Sequence, residues 1–244
     1  MKLQDQTAVV TGASRGIGRG IALRLAKDGA RVVVHYKGNK DAADEVVREI
    51  TDNGGQAFAI SCDLADTTEV RRLFDQVEAQ FKNIDILVNN AGWAEFRVLD
   101  EVDEDNFDAI FDLNVRGLFF ATQAAAKIMN DGGRVVNISS GITRINSATG
   151  AVYAGSKAAV EAFTRCWSED LGQRGITVNT VSPGMTETDL LLAVTPQENL
   201  ENMAKLSPFG RLGQPRDIAD VVAFLCSEDA RWITANNILA NGGV

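Results

Sequence analysis

The sequence predicts a single α/β domain built on a doubly wound parallel sheet of about seven strands. Short Val/Ile-rich runs alternate with longer stretches of helical periodicity along the whole chain. The runs lack the in-out alternation of a half-exposed sheet, so they read as parallel strands buried on both faces. A glycine-rich turn, Thr11-Gly12-Ala13-Ser14-Arg15-Gly16-Ile17-Gly18, joins the first strand to the first helix.

The elements follow in order. Strands are expected at Thr7–Thr11, Arg31–Tyr36, Gln56–Ser61, Ile84–Asn89, Arg134–Ser139, Thr177–Val181 and Asn236–Ala240. Between them, apolar residues recur at helical spacing over Gly16–Asp28, Asp41–Asp52, Thr67–Phe81, Glu104–Met129, Val152–Gln173 and Pro215–Ser227. No linker, repeat or low-complexity stretch divides the chain, so residues 1–244 read as one domain. Only Thr186–Pro208 breaks the rhythm. Rich in Leu, Thr and Asn, it lies between the sixth strand and the last helix, where a lid is expected.

Composition excludes several classes. The net charge of -9 disfavours nucleic acid and anionic membrane as partners. No apolar run approaches the ~20 residues that span a bilayer. The polar start, Met1-Lys2-Leu3-Gln4-Asp5-Gln6, leads straight into a strand and does not resemble a signal peptide. Cys62, Cys166 and Cys226 are odd in number and scattered, which favours a reducing compartment, the cytoplasm. They lack metal-ligand spacing, and His35 is the only histidine, so no metal centre and no His-based triad is expected.

The glycine turn suits a dinucleotide. Glycines let the backbone approach a pyrophosphate, and the following helix N-terminus faces its charge. The spacing is G-x-x-x-G-x-G, distinct from the G-x-G-x-x-G fingerprint. Gly12, Ser14, Arg15, Gly16, Ile17 and Gly18 are the candidate contacts. An NAD site usually carries an acid at the end of the second strand, for the ribose diol. Here Tyr36 stands there, followed by Lys37. With Ser14 and Arg15 nearby, two cations and a hydroxyl would hold a 2′-phosphate, which predicts NADP(H).

Tyr153 and Lys157 lie four apart in a helical pattern, on one face. A neighbouring ammonium favours a phenolate, so the Tyr153 pKa is expected below its usual value of about 10.

In that order, Thr11–Gly18, Cys62-Asp63-Leu64, Asn89-Asn90-Ala91-Gly92, Asn114, Ser139-Ser140, Tyr153–Lys157, Pro183-Gly184 and Asn241-Gly242-Gly243 resemble the short-chain dehydrogenase/reductase family over nearly the whole chain. Much of the chain is similar to its 3-oxoacyl carrier-protein reductases. The resemblance implies a Rossmann-like fold, a nicotinamide cofactor and hydride transfer to a carbonyl or from an alcohol. It also implies that Asp63 and Leu64 flank the adenine, and that Asn90, Ala91 and Gly92 let the cofactor ribose approach. Pro183, Gly184, Thr186 and Thr188 would hold the nicotinamide carboxamide.

The implied catalytic set is Asn114, Ser140, Tyr153 and Lys157. Tyr153 would act as general acid, and as base in reverse. Ser140, thirteen residues earlier, would hydrogen-bond the substrate oxygen. Ser139 is the alternative, and the spacing favours Ser140. Lys157 would also bind the nicotinamide ribose, and Asn114 would help hold a water that links Lys157 to solvent.

Neighbours of these motifs should line the substrate pocket: Trp93, Ser140, Ile142, Thr143, Val152, Met185 and the lid residues Leu190, Leu191 and Leu192. Most are apolar, which points to a small hydrophobic ketone. Reduction of an acyl group on a carrier protein is the alternative. Arg174 matches one carrier-docking position of the family, but the other falls at about Asp131, which disfavours an acidic partner. A catalytically idle NADP-binding regulator is the third reading. The resemblance also implies a homotetramer, in which Phe119, Phe120, Ala125, Phe163 and Trp167 either pair the long helices or pack the core.

Overall fold

The structure is a computed structural model that describes residues 2–244, apart from the side chains of Leu190, Ala193 and Val194. The expected lid side chain Leu190 therefore lies outside the described ones. Seven parallel strands form one sheet in the order β3-β2-β1-β4-β5-β6-β7. They are β1 (Thr7–Val10), β2 (Arg31–Tyr36), β3 (Gln56–Ser61), β4 (Ile84–Asn89), β5 (Met129–Ile138), β6 (Thr177–Pro183) and β7 (Asn237–Ala240). The strand order reverses at β1/β4, the topological switch point where such sheets bind ligands beyond their carboxyl ends.

Both faces of the sheet are buried. Ala8, Val10, Val32, Val34, Ile86 and Val88 pack under α1 (Gly16–Lys27), α2 (Lys40–Asp52) and α9 (Pro215–Cys226). Their alternates Val9, Val33 and Leu87 face the other way, with α3 (Thr67–Phe81) and α5 (Leu118–Ile128). That double covering explains why the strands read as unbroken apolar runs. A buried polar chain crosses the sheet's second half. Asn89 donates to Thr122 (2.8 Å) and Asn137 (2.8 Å), and Asn137 donates to Thr164 (2.9 Å).

Two regions differ from the sequence expectation. The helix expected over Glu104–Met129 is split: α4 (Glu104–Phe111), a π-helical stretch Asp112–Gly117, then α5. The expected lid folds into α7 (Asp189–Val194) and α8 (Gln197–Leu206). Its entrance is tied down: Thr186 bridges to Gly213, and Thr188 caps α7 and lies against Gly16 of the glycine turn. Among the described residues no helix is long and apolar enough to cross a membrane.

Candidate active site

The glycine turn is shaped from several sides. Gly12 (φ 62°) and Gly16 (φ 54°) take left-handed conformations that favour glycine. A Cβ on Gly18 would come within 2.2 Å of the Gly12 carbonyl oxygen and 2.4 Å of Asn90 Nδ2. Asn90 Nδ2 donates to the carbonyls of Thr11 (2.9 Å) and Gly12 (3.1 Å). Thr11 Oγ1 in turn accepts from the amides of Asn90 (2.9 Å) and Ala91 (3.0 Å). Arg15, exposed at the N-cap of α1, makes no side-chain cap bond. No side chain of the cap competes with an anion for the first amides of the helix. A glycine cradle that a Cβ would fill, beside such a helix start, fits a pyrophosphate.

Tyr36 is buried at the end of β2 and Ser14 is half-buried in the turn. Lys37 Nζ lies 2.7 Å from Asp63 Oδ2, while Asp63 Oδ1 accepts from the Ala65 amide (3.0 Å). Burial pushes the Asp63 carboxyl up, but the Lys37 ammonium and that amide outweigh it and hold it below its usual range. The two residues expected to meet different parts of a nucleotide thus pair with each other. Leu64 is buried, and its carbonyl lies so close to Gly117 that a Cβ there would approach within 2.4 Å.

The second half of the site gathers at the carboxyl ends of β4 and β5. Tyr153 and Lys157 occupy the first turns of α6 (Ala151–Gly172). Lys157 is buried and donates to the Ile138 carbonyl (2.9 Å), with Nζ 5.8 Å from the centroid of the Tyr153 ring. Burial lowers its pKa to about 8. The Tyr153 phenol departs from the sequence expectation. Burial pushes its pKa up, and the Ser140 side chain offsets this only in part. Desolvation is the larger effect, and the Lys157 ammonium, over the ring at 5.8 Å from its centroid and bonded to Ile138, does not reverse it.

Ser139 and Ser140 separate cleanly. The buried Ser139 hydroxyl is directed at Glu161 Oε1 (3.0 Å) and the Lys157 carbonyl (3.2 Å). Ser140 caps the 3₁₀ turn Gly141–Arg144, accepts from the Ile142 amide (3.3 Å) and has its side chain beside the Tyr153 phenol. Asn114 is fully buried in the π-helical stretch. Its Oδ1 accepts from the Trp93 amide (2.8 Å), and its Nδ2 donates to the Trp93 carbonyl (2.8 Å) and Ser156 Oγ (3.0 Å). A Cβ on Gly92 would lie 3.2 Å from both Asn114 Oδ1 and Lys157 Nζ, so these two polar groups flank the same bare glycine.

The apolar residues expected to line the substrate pocket are partly accessible. Trp93 is 40% exposed, and Ile142 and Val152 are half-buried. Leu191 is half-buried in α7. Met185, directly after Gly184, is half-buried. It lines a cavity of about 210 Å³ with Met203, Phe209, Leu212 and Val221, whose walls include neither Tyr153 nor Ser140. Pro183 ends β6, and Gly184 packs so tightly on Asn241 that a Cβ would lie 2.8 Å from its Cα. Thr186 Oγ1 donates to the Gly184 carbonyl (3.0 Å).

Two residues escape the sequence reading. The Phe96 ring packs edge-on against Tyr153, centroids 5.9 Å apart at 69°. It sits in an aperiodic loop, and only its closeness to Asn-Ala-Gly could have flagged it. Buried Glu161 accepts from Ser139 and from Thr143 Oγ1 (2.7 Å), thereby bracketing Ser140. A carboxylate one turn beyond Lys157 was the available signal.

A glycine cradle at the switch point of a parallel sheet, beside two converging hydroxyls and a buried lysine, defines a dinucleotide-binding oxidoreductase site. Residues 12–244 match the family model described as enoyl-(acyl carrier protein) reductase. The chain belongs to the short-chain dehydrogenase/reductase family. It is 47% identical over 245 residues to an uncharacterised oxidoreductase of Methylorubrum extorquens, covering 100% of this chain and 99% of that one. It is 43% identical over 254 residues to a hydroxynaphthalene reductase-like protein of Metarhizium brunneum, covering 99% and 95%. The structure of an angucycline C-6 ketoreductase with bound NADP superposes with a TM-score of 0.95 at 45% identity, covering 99% and 96%.

Proposed function

We propose that this protein is an NADPH-dependent ketoreductase that converts a largely apolar ketone to a secondary alcohol. One observation carries the reading: the Ser140 side chain stands close enough to the Tyr153 phenol to favour its charged form, beside buried Lys157 at the carboxyl edge of the sheet. Two hydroxyls suit one carbonyl oxygen. Ser140 donates to it where negative charge develops, and Tyr153 delivers its proton. This oxygen-centred arrangement favours a ketone over the carbon–carbon double bond named by the family model. The nicotinamide, when bound, supplies the hydride.

Lys157 holds a positive charge near Tyr153 and offers donors to the nicotinamide ribose. Asn114 fixes the backbone of Trp93 and keeps the Gly92 approach open, which supports its role beside Lys157 in a water relay. Gly12, Ser14, Arg15, Gly16, Ile17 and Gly18 hold the phosphates. Tyr36 in place of an acid, with Arg15 and Lys37 beside it, favours the 2′-phosphate. On nucleotide binding Lys37 exchanges Asp63 for that phosphate, which leaves Asp63 and Leu64 to the adenine. Asn90, Ala91 and Gly92 receive the ribose. Pro183, Gly184, Thr186 and Thr188 hold the carboxamide, and residues 186–208 act as the lid.

The ketone is aromatic. Trp93 and Phe96 offer exposed rings at the mouth of the site, and two relatives carry fused-ring substrates in their names. A carrier-protein substrate is the second choice, because Arg174 donates to Asp131 (2.9 Å) and to the Ala126 carbonyl (2.7 Å). Its charge is engaged within the fold. Three free cysteines, two of them buried, fit a cytoplasmic setting.

The assembly we propose is a homotetramer. Partly exposed Phe119, Phe163 and Trp167 form an aromatic cluster on α5 and α6, while Trp232 (96% exposed) and Leu239 stand near the β7 edge. Ala125 instead is buried in the core, and Phe120 and Trp167 pack against its edge.

The decisive experiment compares wild type and Tyr153→Phe on a panel of alkyl, aryl and fused-ring ketones, with NADPH and with NADH. Expected are NADPH-dependent reduction by wild type and a loss of roughly 10²-fold or more in the variant. Unchanged turnover in the variant, or no ketone reduced by wild type, refutes the reading and leaves the idle NADP-binding regulator.

A further inference from the structure

We infer that His35 is a positioning residue for the nucleotide, through the Gly12 peptide; the inference rests on the cofactor site proposed above. His35 is the only histidine in the chain, it is buried in β2, and both ring nitrogens are engaged. Nδ1 lies 3.0 Å from the Gly12 amide nitrogen, and Nε2 lies 3.0 Å from the Cys62 carbonyl. An amide N–H only donates and a carbonyl only accepts. The ring must therefore be neutral, with its proton on Nε2. An imidazolium would set two donors against each other at Gly12. Burial agrees, for it lowers the His35 pKa to about 4.

The contact matters because of what Gly12 is. It takes the left-handed turn that opens the phosphate cradle, and Gly18 packs directly on its carbonyl. His35 holds the N–H of Gly12, and Asn90 Nδ2 holds its C=O (3.1 Å). The His35 carbonyl also accepts from the next amide, Ala13 (2.8 Å). Two successive amides of the turn are thus fixed by one residue of β2. Through Nε2 the same ring reaches Cys62, immediately before Asp63. One imidazole therefore ties the phosphate turn to the segment proposed for the adenine.

The test separates the two ring nitrogens. Asn carries an amide oxygen the same number of bonds from Cβ as Nδ1, whereas Gln reaches the Nε2 position. NADP⁺ affinity and binding stoichiometry are measured by calorimetry for wild type, His35→Asn and His35→Gln, with NADPH kinetics alongside. His35→Asn should bind within ~3-fold of wild type, and His35→Gln roughly tenfold more weakly, the loss expected when one buried partner goes unpaired. In both, kcat at saturating NADPH should stay within ~2-fold, and stoichiometry should stay at one. A purely structural role would instead lower stoichiometry and kcat together and leave the affinity of the folded fraction unchanged. Equal affinity in both variants and wild type also overturns the proposal. Wild type that fails to bind NADP⁺ overturns the cofactor reading itself, and is seen before any variant is made. As the only histidine, His35 also gives unambiguous ring ¹⁵N signals. At pH 6 they should report a neutral Nε2–H ring, and a protonated ring would overturn the assignment.

Discussion

Replacing Lys157 with Met should make the nucleotide-free protein more stable while nearly abolishing its activity. Burial takes the Lys157 ammonium from its ordinary pKa of 10.5 to about 8. At ~1.4 kcal/mol per tenfold, that corresponds to about 3 kcal/mol of unfavourable burial at neutral pH. Met fills a similar volume without the charge. It forfeits the bond to the Ile138 carbonyl, about 1 kcal/mol. The net gain is about 2 kcal/mol, or roughly 4–8 °C in melting temperature for a chain of this size. The pH dependence has a definite sign. Below pH 8 the lysine is protonated folded and unfolded, and the full penalty applies. Between pH 8 and 10.5 the unfolded chain binds more protons, so wild type gains stability with rising pH relative to Lys157→Met. Thermal unfolding of both proteins at pH 7 and across that window, with ketone reduction at pH 7, is the assay. A variant that melts below wild type at pH 7, or a difference that stays constant from pH 7 to 10.5, refutes the reasoning.

Other substitutions probe separate parts of the site. Asn114→Ala leaves the Trp93 amide and carbonyl without their partner, while the Ser156 hydroxyl keeps its bond to the Tyr153 carbonyl (2.7 Å), and should cost about 2–4 kcal/mol in urea unfolding, at roughly 1–3 kcal/mol per unpaired group. Gly18→Ala forces a methyl to 2.2 Å from the Gly12 carbonyl, and calorimetry should find NADP⁺ binding lost. Phe96→Ala removes the edge-on contact with Tyr153. KM for fused-ring ketones should rise roughly 2–10-fold, from ~0.5–1.5 kcal/mol of ring–ring attraction, with simple alkyl ketones little changed.

Much of this was legible in the chain because parallel strands announce themselves. Val32-Val33-Val34 and Ile86-Leu87-Val88 alternate between two covered faces, so every position is apolar. The glycine turn and the Tyr153–Lys157 pair are contiguous motifs, and short-range spacing specifies them. What escaped was long-range. Nothing local to Lys37 says that Asp63 will face it, since β2 and β3 bring them together. The direction of the Tyr153 pKa depends on how closely Phe96 and its other neighbours exclude water, and spacing carries no such information. The π-helical stretch was hidden because Asp112–Gly117 keeps helical composition. Within that stretch the Asn114 side chain meets both polar groups of the Trp93 peptide, a pairing that local composition does not announce.

The stitch between Thr11 and Asn90 has a consequence for the order in which the molecule is made. β1, β2 and β3 emerge from the ribosome together, but β1 borders β4 at the centre of the sheet. Until Asn90 has been synthesised, the Thr11 hydroxyl and the Thr11 and Gly12 carbonyls have no partners from that strand. The phosphate turn is contiguous in sequence, yet it is completed by a residue 79 positions from Thr11. Pairings of such separation form late in folding. A nascent chain that has exposed only its first three strands would therefore hold the glycine motif without the geometry to retain a nucleotide, and nucleotide capture would mark the moment the two halves of the sheet join.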